Sequence, residues 1–242
     1  MIKIIKRSVF LATCLFVVPS FAANSEMNIP EKANALAPYQ ASYALFRKGS
    51  ELGKGHRKLI ATQDGYKLSS SSNIKWLLLS DTRKENSEFS LNKDIFEPKN
   101  YHYERTGTGR DREETIKFSD KSITSVYKNN EKVFRPIQLT FDPLIYQLAL
   151  RKDLIADKKV LSYHMVRRGS ETNYTFERVG TETVKTPIGR FEAIKLRRVR
   201  ENSTRNTLIW IAPSLNYSVV KMTQFKDGQE QADLQLNWLH FD

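Results

Sequence analysis

The residue types that most often carry chemistry are few in this chain and widely scattered. The four histidines are His56, His102, His164 and His240, and none stands in HxH or HxxxH spacing. Sequence-readable metal sites present ligands at such short spacings, so no metal and no cofactor are expected. Ser69 to Ser72 form a run of hydroxyls. A serine nucleophile also needs a base and an oxyanion site, and neither a GxSxG elbow nor a glycine-rich phosphate loop is present. Asp111, Glu113 and Glu114 crowd between Arg110 and Arg112. Glycoside cleavage would need two of these carboxyls at a set separation in space. A charged hairpin tip is the simpler expectation for them.

Aromatic and basic residues suggest binding instead. Trp76, Tyr101, Tyr103, Phe118, Tyr163, Trp210 and Trp238 all fall on predicted strands. In a bent sheet such residues either line a face open to a greasy ligand or fill the core. A basic strand carries Lys195, Arg197, Arg198 and Arg200. Any inward-facing cation must be paired or lie beside a ligand headgroup. The candidate ligand-binding set is therefore Trp76, Tyr101, Arg105, Tyr163, Arg198, Trp210 and Trp238.

The elements that would position these residues read as β-structure. Tyr39, Ala41, Tyr43 and Leu45 alternate with polar residues, and the period of two continues through Glu51–Thr62, Tyr66–Ile74 and Arg83–Leu91. It resumes in 96–106, 113–118, 122–127 and 132–139, with short turn-like links such as Asn92-Lys93-Asp94 and Asn129-Asn130. One interruption stands out. Asp142-Pro143 heads a segment with Leu144, Ile145 and Leu148 at helical spacing, which predicts a helix over 142–152. Strands return at 159–167, 173–179, 181–185, 191–199, 207–212 and 218–225. A closing strand is predicted to share Leu234, Leu236 and Trp238 on one face. About fourteen strands and one helix predict an all-β fold: a strongly bent antiparallel sheet, or incomplete barrel, with one short covering helix.

Location is read from the N-terminus. Lys3, Lys6 and Arg7 precede the apolar run Ser8–Val18, Pro19 breaks it, and Ser20-Phe21-Ala22 supplies small residues for a peptidase. This is the order of a cleaved signal peptide, 1–22, with an apolar run too short to span a bilayer. Periplasmic localisation follows as an expectation, with a flexible lead-in at 23–37 and a single β-rich domain at 38–242. Cys14, the only cysteine, is read as an h-region residue rather than a lipidation site, which leaves the mature chain without a thiol. Removing Lys3, Lys6 and Arg7 takes Lys and Arg from 39 to 36 against 27 acidic residues, a mature charge of +9. Such a surface suits an anionic envelope partner, whereas nucleic acid is not expected for an exported chain without a binding motif. The mature chain is expected to carry no transmembrane segment.

The landmarks also recur in a known order. Tyr39–Tyr43 opens the domain, with glycines at 53 and 55. Phe96-Glu97-Pro98 leads to Tyr101, Phe141-Asp142-Pro143-Leu144 heads a helix, and Thr186-Pro187-Ile188-Gly189-Arg190-Phe191-Glu192-Ala193 precedes the basic strand. Trp210-Ile211-Ala212-Pro213 comes before the closing strand. Over about residues 36–240 the chain resembles the bacterial family DUF3108. That resemblance implies an exported, β-rich protein and transfers no catalytic residue. A coarser analogy of fold is to periplasmic half-barrels that carry lipids or lipoproteins. The leading expectation is a non-enzymatic periplasmic protein of the Gram-negative envelope that binds a lipid-like or other amphipathic envelope molecule. The alternatives are a structural or interaction domain with a filled core, and a hydrolase acting on an envelope polymer. N-terminal sequencing of the periplasmic protein should begin at Ala23 or within a residue or two; an intact Met1 would contradict export.

Overall fold

Alternation of apolar and polar residues puts every second side chain on one face of a strand, and a sheet built this way must bury that face. The computed structural model describes residues 27–76 and 79–242, without the Trp76 side chain. The expected signal peptide and Cys14 lie outside the described residues, as do Leu77 and Leu78. In chain order the elements are β1 (Tyr39–Arg47), β2 (Ser50–Thr62), β3 (Gly65–Trp76), β4 (Leu79–Asn92), β5 (Ile95–Gly107), β6 (Arg112–Phe118), β7 (Ile123–Tyr127) and β8 (Asn130–Phe134). The helix α1 (Ile145–Ile155) follows, then β9 (Leu161–Arg167), β10 (Ser170–Thr186), β11 (Gly189–Val199), β12 (Arg205–Ala212), β13 (Ser218–Lys226) and β14 (Gln229–Phe241).

All fourteen strands form one antiparallel sheet in the order β8-β7-β6-β5-β4-β3-β2-β1-β14-β13-β12-β11-β10-β9. Two meanders therefore join where the first strand meets the last. Tight two-residue turns with both central φ positive connect several hairpins, as at Lys93-Asp94 and Asp227-Gly228. Gly53 has a different role. A β-carbon there would sit 1.9 Å from the Asn73 carbonyl oxygen, so only glycine lets β2 approach β3 beside its bulge.

The sheet curls but no strand ladder closes it between β8 and β9. Instead Phe141 forms a parallel bridge to Met165, donating to the His164 carbonyl at 2.9 Å and accepting from the Val166 N–H at 3.1 Å. The backbone N–H of Arg168, after β9, donates to the Glu114 carboxylate on β6. Rings span the gap as well: Tyr66, Phe89, Phe96, Phe141 and Tyr163 contact one another in sequence at 5.4–6.0 Å. The expectation of an incomplete barrel with a covering helix is met. Leu144, Ile145, Leu148 and Leu154 are buried on the inner side, among Leu59, Leu68, Phe89, Leu161, Leu196 and Phe241. Residues 27–37, in the expected lead-in, are held against the sheet. Asn34 exchanges two hydrogen bonds with the Asn216 side chain, and Asn28 donates to the Phe241 carbonyl at 3.2 Å.

Three local expectations are corrected. The helix starts at Ile145 rather than at 142, because Pro143 and Leu144 form a turn before regular helical bonding begins. Asp142 nonetheless accepts the free N–H groups. The helix also runs a turn farther, since Leu154 extends the buried stripe. Residues 173–179 and 181–185 are one strand, β10, interrupted only by a bulge at Val179. Finally, Trp238 does not face inward with Leu234 and Leu236. β14 has a bulge at Asn237, so Leu236 pairs with Tyr43 while Trp238 pairs with Ser42. The bulge reverses the alternation. Leu239 and Phe241 point inward, and Trp238 lies on the outer face, 40% exposed.

Two predictions follow from this packing. Asp142 is buried, its Oδ1 accepting from the Leu144 and Ile145 N–H groups at 2.7 and 2.9 Å and its Oδ2 from the Ser87 hydroxyl at 2.5 Å. Burial pushes its carboxyl up to about 7 against the pull of these donors. The folded state thus holds this proton more tightly than the unfolded chain. The resulting stability is full below pH about 4 and is lost as pH rises through about 7. Asp142→Asn retains an acceptor for the cap and should flatten this segment of the urea-midpoint profile; an unchanged slope would refute the assignment. Separately, Leu239→Ala should cost about 2–5 kcal/mol in urea unfolding, while Trp238→Ala should cost less than about 1 kcal/mol. Equal losses would place Trp238 back in the core.

Candidate functional site

The inner face divides into two levels. Along one register row run Phe241, Tyr39, Leu59, Leu68, Ser87, Tyr101 and Ile116, which with α1 make a largely apolar floor. The next row across β2–β6 is Arg57, Ser70, Glu85, Tyr103 and Glu114. The row after it, on β3–β6, is Ser72, Arg83, Arg105 and Arg112. Three arginines thus stand side by side on adjacent strands at the open end, an arrangement that repels itself unless anions intervene.

Only part of that charge is answered from within. Asp81 accepts from Arg83 Nε and Arg105 Nε, each at 2.6 Å. Burial opposes ionisation of Asp81, but the two guanidiniums overcome it and hold the carboxyl below its ordinary range. The Nε of Arg112 is buried and has no hydrogen-bond partner among the described residues. Glu114, 2% exposed, is raised by burial, although the Arg168 backbone N–H and Arg167 pull it down. The sequence-level expectation of a charged hairpin tip therefore fails for Glu114, which alternation in β6 turns inward.

The facing wall repeats the theme. Arg167 on β9 donates from Nη1 to the Tyr174 hydroxyl at 2.6 Å, and the Arg198 guanidinium lies over the Tyr174 ring, 3.1 Å from its centre. Burial alone would raise this phenol; Arg167 and Arg198 together hold it below its ordinary value. The Nε of Arg198 is also buried and, among the described residues, without a hydrogen-bond partner. Arg200 donates to the Thr207 hydroxyl at 3.0 Å and borders a cavity of about 160 Å³ lined also by Arg205, Gln224 and Lys226. Between the two basic walls, Ile209, Met222, Leu234 and Leu45 form one apolar register row across β12, β13, β14 and β1. Burial pushes the Tyr146 phenol of α1 up to about 12, against the pull of Arg198, Arg57 and Arg167.

The structure thus brings Tyr101, Arg105 and Arg198 onto one face, where the Tyr101 hydroxyl donates to Glu85 at 2.8 Å. Tyr163 shares that inner face beside Tyr174, its register partner on β10, but packs beneath α1 and donates to Asp153 at 2.9 Å. Trp210 and Trp238 are not brought with them. Trp210 lies on the opposite face of β12 from Ile209 but is buried, its indole N–H donating to Glu182 at 2.5 Å, with Lys195 and Lys221 at 5.2 and 5.4 Å from its ring centre. Trp238 is also on the outer face, and Trp76 ends β3. Sequence reasoning missed Arg57, Arg83, Arg112 and Arg167, and named Arg200 in the basic strand without singling it out. Alternation with Glu85, Ser87 and Phe89 could have turned Arg83 inward. Alignment of arginines across strands could not be read without the register.

Chemically, this face can hold an anion against guanidinium groups and an apolar group against the aliphatic row. Among the described residues there is no group of three or more His, Cys, Asp or Glu able to hold a metal. Also among them, no helix is long and apolar enough to cross a membrane.

One solved structure shares the fold. A β-barrel-like protein of the domain of unknown function DUF1849, from Brucella abortus, superposes with a TM-score of 0.56 at 12% identity, covering 86% of this chain and 98% of that one. A candidate exported protein with a YmcC-like fold, from Bacteroides fragilis, gives a TM-score of 0.34 at 10% identity, covering 83% and 94%. No curated protein matches the sequence. The profile of DUF3108, a family of proteins of unknown function, matches residues 38–235, and the chain belongs to that family.

Proposed function

We propose that this protein is a non-enzymatic periplasmic protein of the cell envelope that binds an amphipathic molecule by its anionic headgroup at the open end of the curved sheet. One observation carries the reading. Arg57, Arg83, Arg105 and Arg112 share the inner face of β2–β6 with Asp81, Glu85 and Glu114, Arg167 and Arg198 meet at Tyr174 on the facing wall, and the buried Nε groups of Arg112 and Arg198 have no hydrogen-bond partner among the described residues. A buried guanidinium N–H left unpaired is costly, and an incoming phosphate or carboxylate would satisfy it. The half-buried Met222 and Leu234 beside this site offer apolar surface for the rest of the ligand. Tyr101 and Tyr163, read from sequence as ligand contacts, serve this function indirectly by fixing Glu85 and α1.

A second reading keeps the protein as an interaction domain without a small ligand, and the filled floor under α1 favours it. Binding separates the two. Fluorescently labelled phosphatidylglycerol, which is anionic, should bind at least tenfold more tightly than the zwitterionic phosphatidylcholine equivalent. Arg112→Gln combined with Arg198→Gln should abolish that preference while the circular dichroism melt stays cooperative. Equal affinity for the two lipids, or no binding, would favour the interaction domain.

A further inference from the structure

The outer face of the same sheet carries a second concavity, independent of the arginine-lined end. A groove of about 420 Å³ runs over β1–β4 and is bounded by Trp238 of β14. Its shape has a local cause. β3 presents Ser69 and Ser71 outward, small side chains between the longer ones of β2 and β4, so the strand forms a floor. His56 and Lys58 stand on one side and Lys84 on the other. Ser69 donates to Asn86 at 2.8 Å. Among the described residues, the side chains of His56, Lys58 and Lys84 enter no hydrogen bond or ion pair.

Trp238 is the unusual member. The bulge at Asn237 removes it from the interior and lays its indole against the His240 ring, 6.1 Å centre to centre and 18° from parallel. Without the bulge it would be buried with Leu234 and Leu236. Bulges that re-aim a side chain recur beside functional sites. An exposed indole at the end of a groove of hydroxyls and ammonium groups has the chemistry to stack on a sugar ring and pair with a charge on it.

We infer that this outer groove is a saccharide site, in which Trp238 stacks on a sugar ring and Lys58 and Lys84 bind an acidic substituent of the sugar. It is separate from the headgroup site proposed above and lies on the opposite face. Titration with trigalacturonate, followed by calorimetry and tryptophan fluorescence, tests it. Trigalacturonate should saturate a site and alter fluorescence, and uncharged maltotriose should bind at least tenfold more weakly. Trp238→Ala should weaken trigalacturonate at least tenfold with the melting curve retained. Lys58→Gln with Lys84→Gln should remove the preference for the acidic sugar, and this variant carries the test if Trp238→Ala does not fold. No saturable binding of trigalacturonate, equal affinity for maltotriose, or unchanged binding by a folded Trp238→Ala variant would overturn the inference.

Discussion

Pairing of β1 with β14 makes one sheet of two meanders, and the remaining architecture rests on that seam. It joins strands nearly two hundred residues apart, so its loop-closure entropy must be met by burial. The contacts that meet it are specific. Tyr39 pairs with Phe241, Ala41 with Leu239 and Tyr43 with Leu236, all buried. The helix is tied to the same place. Arg151 of α1 lies 5.2 Å from the Tyr39 ring and 5.6 Å from that of Phe241, and donates to the Asn216 carbonyl at 2.7 Å. Asn216 in turn holds Asn34 before β1. Seam, helix and N-terminal segment thus form a single unit, which fixes where the floor ends and the arginine-lined face begins.

That division explains why the interior is not uniformly apolar. One short helix covers only part of the concave face of a fourteen-stranded sheet. Below, leucines and aromatic rings close the space between edges that no ladder joins. Above, arginines line up across β4, β5 and β6, with Asp81 as the counter-charge that Arg83 and Arg105 share. Such a row weakens the sheet that carries it, and local departures of this kind are expected at sites selected for binding. The two unpartnered Nε groups mark where the protein's own carboxylates stop sufficing.

Much of the fold was legible because alternation survives almost everywhere: strand number, antiparallel hairpins and the Asp142-headed helix all follow from local patterns. Where alternation along a strand misled at Trp238 and Val179, a bulge was responsible. One extra residue at Asn237 moved Trp238 to the outer face, and one at Val179 made a single strand look like two. The site was less legible. Arg105 and Arg198 could be singled out on their own strands. That Arg105 sits between Arg83 and Arg112, and that Arg198 shares Tyr174 with Arg167, depends on register and curvature, which are properties of distant residues together. For the same reason Tyr163 and Trp210, both contacts by residue type, proved to be a helix support and a buried ring on the far face of β12.

The central claim is that an anionic headgroup occupies the arginine-lined face. The most direct measurement is the nitrogen–proton NMR spectrum of the arginine Nε groups, assigned by substitution, during titration with lysophosphatidylglycerol. The account predicts that the Arg112 and Arg198 signals shift together, saturate at one equivalent, and move far more than for lysophosphatidylcholine. Saturable binding that leaves both signals in place, or identical shifts with the two lipids, would contradict it.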